Sequence, residues 1–201
     1  MTTQQATRQA AHRSIDRPLE QAELPGHMLT TTAARVMAVL RISTGFVFLW
    51  AFLDKTFGFG FATAAERAWI NGGSPTKGFL SSVEVGPLQS FFHTIAGTWW
   101  ADTLFMAGLG AIGVALIAGI GLRVAAASGT LMMVFMWLAE FPLDRVTASG
   151  EPAHATNPLV DYHIVYAIVL VALAAAYAGH TWGLGRLWAR LPFVQRNRWM
   201  I

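Results

Sequence analysis

Four carboxylates and one imidazole hold most of the chemistry this sequence can offer. Asp54, Asp102, Glu140 and Asp161 each lie near one end of a long apolar stretch, and His163 follows two residues after the last of them. Acids at the edge of hydrocarbon are rare; they carry protons, hold cations or mark topology. Asp102 and Asp161 fall where apolar stretches begin, and there a helix N-cap is the simpler reading. Asp54 and Glu140 fall where such stretches end, and the helix dipole disfavours an anion there. A cap therefore does not account for them. Glu140 is flanked by Leu138, Ala139, Phe141 and Pro142. Partial desolvation would favour its protonated form and fit it to carry a proton. A salt bridge to Lys55 or Arg145 is the competing expectation.

His163 is two residues from Asp161, so the two do not share a helix face. The expected partner is on another helix, and Glu140 is the candidate. Haem ligation would need a second histidine at matching depth. His93 and His154 are in loops, and His180 is at the opposite face. Arg41 lies inside an apolar stretch with no acid at its depth. It would snorkel to headgroups, bond to span-end carbonyls or Ser128, or meet a polar ligand such as a quinone headgroup. Asp, Glu and His can ligate hard or borderline cations, but no metal site is assigned from sequence.

The elements that must position these groups are membrane spans. Apolar residues make up 54% of the chain and charged residues 12%, half the share usual in soluble proteins. A span needs about 20 mostly apolar residues. Residues 34–53, 101–120, 124–143 and 159–179 each meet that length. The expected fold is all-α, an integral membrane four-helix bundle in one domain (residues 33–185). A disordered cytoplasmic tail (1–32) precedes it, and a basic cytoplasmic tail (186–201) follows. Alternating spans bring the four acids to one membrane face. Arg8, Arg13, Arg17, Arg35 and Arg123 lie on the other face, as do Arg186, Arg190, Arg196 and Arg198. The positive-inside rule then puts both termini in the cytoplasm, with the chain in the cytoplasmic membrane. The net charge of +3 reads as topology and lipid contact rather than nucleic-acid binding. The first 32 residues lack the apolar core of a signal peptide. Cysteine is absent, which excludes disulfides, thiolate metal sites and a catalytic thiol in this chain. Trp50, Trp99, Trp100 and Trp137 suit the outer interface, and Trp182, Trp188 and Trp199 the inner one. Small residues recur at Ala107, Ala111, Ala115 and Gly119. They also pair as Ala172 with Ala176 and Ala175 with Gly179. These stripes predict close helix contacts.

Roughly 45 residues separate the first two spans, long for a connection without structure of its own. Phe57-Gly58-Phe59-Gly60-Phe61 opens it. Thr63 to Ile70 reads as a short helix, with Thr63 as N-cap and Glu66 as capping-box partner. Asn71-Gly72-Gly73-Ser74-Pro75 breaks it. A second short helix is expected between Gly86 and Gly97, opened by Pro87. These extracytoplasmic interfacial helices would form either a lid over the acidic end or a lipid-facing surface element with no site beneath it.

The chain resembles the DoxX/DoxD family of small four-span membrane proteins over roughly Arg35 to Arg190. Leu40-Arg41-Ile42 with Gly45 and Lys55 carries part of the likeness. Gly121-Leu122-Arg123-Val124-Ala125-Ala126 carries another part. A third is Asn157-Pro158-Leu159-Val160-Asp161 with His163, Gly179 and Gly183-Leu184-Gly185. Trp69-Ile70-Asn71-Gly72-Gly73-Ser74-Pro75-Thr76 with Gly78-Phe79-Leu80 is similar to the DoxD branch. That resemblance implies thiosulfate:quinone oxidoreductase chemistry, with membrane quinone as electron acceptor and a small anionic sulfur substrate. The wider family implies association with a second subunit or a soluble redox partner. On this reading Lys55, Arg145 and Arg41 bind substrate, and Glu140 and His163 manage protons as catalytic residues. The alternative is a non-catalytic membrane scaffold, or an accessory subunit of an oxidative-stress redox complex.

Overall fold

The computed structural model describes residues 29–147, 149–152 and 157–201. Most of the expected N-terminal tail lies outside the described residues, including Arg8, Arg13 and Arg17, and so does His154. The chain is helical, and among the described residues the only β-pairing is one isolated bridge between Val146 and Pro152. Its helices are α1 (Thr31–Phe57), α2 (Lys77–Ser81), α3 (Gln89–Ile95), α4 (Trp99–Ala118), α5 (Leu122–Glu140), α6 (Tyr162–Ala175), α7 (Gly185–Trp188) and α8 (Pro192–Arg196). By length and composition α1, α4 and α5 can each cross a membrane.

Local chemistry sets where these helices begin and end. Thr30 caps α1, its hydroxyl accepting from the Ala33 N–H at 3.2 Å. Phe141 ends α5 in the left-handed region, at φ 36°, and Pro142 after it has no N–H with which to continue the helical ladder. Asp161 caps α6 and accepts from the Ile164 N–H at 3.1 Å. This last helix has 14 residues, shorter than the expected 159–179 span. Tyr177, at φ 49°, ends the helical path, and a 3-10 turn at Ala178–His180 follows.

Helix α1 packs along α4, and α5 along α6, with α4 and α5 joining the two pairs. Phe48, Met106, Leu109, Ile112, Leu116, Leu170 and Leu173 form the shared core. Large apolar residues also cover the outside, among them Val36, Phe46, Leu104, Leu131 and Ile168. A helix apolar on all sides suits a membrane. The small-residue stripes make the expected close contact at their terminal glycines, Gly119 and Gly179, and not along their alanines. Ala107, Ala111, Ala172 and Ala175 are exposed. The closest approaches fall at single glycines instead. A Cβ on Gly113 would lie 2.6 Å from the Leu49 backbone nitrogen, and one on Gly179 only 2.2 Å from the Gly119 carbonyl oxygen. Backbone also closely approaches backbone at Gly45 beside Ile117 and at Gly183 beside Gly179.

The loop between α1 and α4 departs from expectation in its first half. The expected Thr63–Ile70 helix is two 3-10 turns, Ala65–Arg67 and Trp69–Asn71, neither with a side-chain cap. Ala64 and Ala68 are extended there, which interrupts any α-helical ladder. The second half contains α2 and α3. The last residues are folded too: Val194 is fully buried, and the Trp188 indole N–H donates to the Met200 carbonyl at 3.2 Å.

Candidate functional site

Two of the four acids hold the loop in place. Asp54 is buried and accepts from three successive backbone N–H groups, Phe61 at 3.3 Å, Ala62 at 3.0 Å and Thr63 at 2.9 Å. An ionised carboxylate is a strong acceptor for such donors. Asp102 is also buried. It accepts from the Thr76 N–H at 2.9 Å and the Thr76 hydroxyl at 2.6 Å. Asp102 is therefore not the cap expected of it: Thr98 occupies the N-cap position of α4, and Asp102 reaches across to the loop. With the loop tied down, Val83 and Phe92 bury against Ala139 in the last turn of α5. Phe79 and Leu138 pack on the same cluster.

The other two acids gather around His163. Asp161 stands outside the regular helix, with φ −104° and ψ −172°, so the helical spacing rule does not separate it from His163. Its Oδ2 lies 2.8 Å from His163 Nδ1. This corrects the expectation that the two residues diverge. Glu140 comes from the end of α5 as expected, its Oε2 3.8 Å from the same nitrogen. The Tyr162 hydroxyl donates to Glu140 Oε1 at 2.7 Å. One ligand atom from each of Glu140, Asp161 and His163 lies within 4.8 Å of the others. His163 is fully buried, and its Nε2 meets no hydrogen-bond partner. The Glu140 side chain is 36% exposed, more open than its apolar flanks suggested. The site thus has a buried nitrogen at its base and a solvent-facing carboxylate at its mouth.

The expected substrate cations do not join this cluster. Lys55 is half-buried and Arg145 exposed. Neither forms an ion pair with Glu140; Lys55 instead feels the charge of the adjacent Asp54. Arg41 is at the opposite end and fully buried. Its Nη1 donates to the carbonyls of Leu116 and of Ile117, the latter at 2.8 Å. Its Nη2 donates to Trp182 at 3.0 Å and to Thr181 at 3.4 Å. Of the expectations for Arg41, bonding to span-end carbonyls is the one that holds. Snorkelling does not occur, and Ser128 bonds to its own helix at Val124. Gly119 and Gly183 line the guanidinium: a Cβ on either would lie 2.9 Å and 3.1 Å from its nitrogens.

Of the haem mates considered, His93 bonds to the Val83 carbonyl at 2.8 Å within the loop. Sequence reasoning passed over two residues that matter here, Tyr162 and Thr76. Tyr162 sits beside a capping acid at a helix start, and that adjacency is the signal that could have found it. Nothing in the sequence around Thr76 announces its pairing with Asp102, 26 residues away. Comparison with protein-family models, curated proteins and solved structures returns no match to this chain.

Proposed function

We propose that this chain is a DoxX/DoxD-type membrane protein whose loop end serves quinone-linked oxidation of a small anionic sulfur compound such as thiosulfate. In this reading four helices form a bundle in the cytoplasmic membrane. Both termini face the cytoplasm, and the segment between α1 and α4 lies on the outer side. The observation that carries the chemistry is the meeting of Glu140, from the end of α5, with His163 and Asp161 at the start of α6. Two thiosulfate anions each lose one electron and join through a new S–S bond, while quinone takes up two electrons and two protons. The chain holds no cysteine, so electrons pass by direct contact or through a partner subunit. Glu140 faces solvent and would collect protons, with His163 and Asp161 behind it. Lys55 and Arg145, neither paired with Glu140, would attract the anion.

Thiosulfate-dependent quinone reduction in membranes containing the protein tests this. Wild-type activity that falls at least tenfold in Glu140→Gln, and rises in KM in Lys55→Ala, is the expected result. Equal activity in membranes with and without the protein would overturn it. One observation favours a second reading, an accessory subunit without chemistry of its own. Both guanidinium Nη atoms of Arg41 and the carboxylates of Asp54 and Asp102 are engaged by backbone groups or Thr76. On that reading the membranes are inactive, and the protein co-purifies with a redox partner.

A further inference from the structure

We propose that Phe57-Gly58-Phe59-Gly60-Phe61, the turn at the end of α1, folds back along that helix as an aromatic wedge and enters the lipid leaflet at the loop end. The partner of this surface is lipid rather than a protein. Two glycines permit the reversal. Gly58 and Gly60 take left-handed φ values of 70° and 85°, a region that residues with a Cβ enter only at a cost. The Gly58 N–H closes α1 by donating to the Asp54 carbonyl at 2.8 Å. The chain then returns toward the middle of the helix. Trp50 lies about 10 Å of helical rise before Phe57. Its ring nevertheless meets those of Phe59 and Phe61, with centroids 5.7 and 5.2 Å away. Phe57 stacks on Phe59 at 5.8 Å. Phe46, one turn before Trp50, joins the same row at 5.8 Å.

Three observations select lipid as the occupant. The first is continuity. Helix α1 is long and apolar enough to cross a membrane, and Phe46 stands outward from it. Through Trp50 the rings of Phe59 and Phe61, exposed by 52% and 76%, extend that outward face. Exposed apolar patches of this kind mark sites of membrane or protein contact. The second is charge. No charged residue lies between Lys55 and Glu66, and charge is what hydrocarbon excludes most strongly. The third is the backbone. Chain without regular structure can enter hydrocarbon only where its polar groups are satisfied by the protein. The N–H groups of Gly58 and Gly60 donate to the carbonyls of Asp54 and Thr63. Those of Phe61, Ala62 and Thr63 all donate to the Asp54 carboxylate. A turn lying in water needs no such provision, because water serves its donors. Asp54, itself buried, takes up the donors from the protein side and leaves the rings to face outward. Rings held in this way suit the boundary between headgroups and acyl chains, about 5–10 Å deep.

This inference rests on the bilayer placement of the bundle and not on its redox chemistry. The chain has no cysteine, so one introduced thiol carries one spin label. The full chain is labelled at Phe46→Cys, Phe59→Cys, Phe61→Cys or Glu84→Cys and placed in vesicles of phosphatidylcholine and phosphatidylglycerol. Collisions with oxygen, which concentrates in lipid, are compared with those of a water-soluble nickel chelate. At positions 59 and 61 oxygen contact should exceed nickel contact at least about twofold, as at position 46, and the order should reverse at exposed Glu84. Asp54→Ala should loosen the label at position 61 and increase its nickel contact. Labels at 59 and 61 that read as water-exposed, beside a lipid-exposed label at 46, overturn the wedge and leave the bundle in the bilayer. A water-exposed label at 46 overturns the placement and the wedge together. Labels at 59 and 61 shielded from both reagents show a protein contact, a second copy of this chain included, and also overturn the proposal. If Asp54→Ala does not fold, the labels in the otherwise unaltered chain decide alone.

Discussion

Replacing Arg41 with methionine should lower the thermal stability of this protein markedly. Methionine keeps most of the volume but none of the donors. The carbonyl of Leu116 would still accept from the Gly119 N–H at 3.1 Å. The carbonyls of Ile117 and Trp182, by contrast, have Arg41 as their recorded donor, at 2.8 and 3.0 Å. Both contacts are part-buried. An acceptor left unpaired away from water costs about 1–3 kcal/mol, so two give at most about 2–6 kcal/mol, with about 4 kcal/mol as the working value. For a chain of this size about 1 kcal/mol moves the midpoint by about 2–4 °C, so the central value is a drop of about 8–16 °C. Thermal unfolding in detergent, followed by tryptophan fluorescence, reads it directly. Arg41→Lys should fall between the two, because a single ammonium cannot span both chain segments as the guanidinium fork does. A methionine variant melting within about 2 °C of wild type would refute the argument. It would return Arg41 to the substrate-binding role expected from sequence, where loss of activity comes without loss of stability.

Two further substitutions test the packing around the site. Asp102→Ala removes the acceptor for both donors of Thr76, each worth about 1.5–3 kcal/mol as a charged hydrogen bond. Limited proteolysis at the Asn71–Pro75 segment should then run at least about tenfold faster, and an unchanged cleavage rate would refute the clamp. Gly179→Ala places a methyl group 2.2 Å from the Gly119 carbonyl oxygen. Backbone must move to admit it, so the melting midpoint should fall by an amount matching about 3 kcal/mol. A midpoint equal to wild type would show that this contact is looser than described.

The long helices were legible in the sequence because length and apolar content determine them almost alone. α1, α4 and α5 lie within a few residues of their expected bounds. The fourth span was read too long at both ends. Its composition stays apolar from Leu159 to Gly179, but Asp161 starts the helix late and the turn at Tyr177 ends it early. Neither event leaves a trace in hydropathy. The gathering of the acids at one end was legible from topology, whereas their roles were not. Asp54 and Asp102 bond to loop groups whose positions only the folded chain defines. The Asp161–His163 contact was misjudged for a specific reason: the spacing rule for helices does not extend to a capping residue. The Arg41 cage was half visible. Gly119 and Gly183 can be picked out in the sequence, but their convergence on one guanidinium depends on how the chain end folds back after α6.

The brevity of α6 has a consequence for the surrounding lipid. Fourteen residues rise about 21 Å, while the hydrocarbon of a typical bilayer is about 30 Å thick. Its neighbour α1, with 27 residues, has length to spare. A bilayer around this molecule would meet a hydrophobic mismatch on one flank only. Lipids beside α6 would have to thin or tilt, at a fraction of a kcal/mol for each ångström. The dimple would form on the flank that bears Asp161 and His163. It would bring headgroups and water closer to that site than a span of full length would allow, and it would favour shorter acyl chains at that flank.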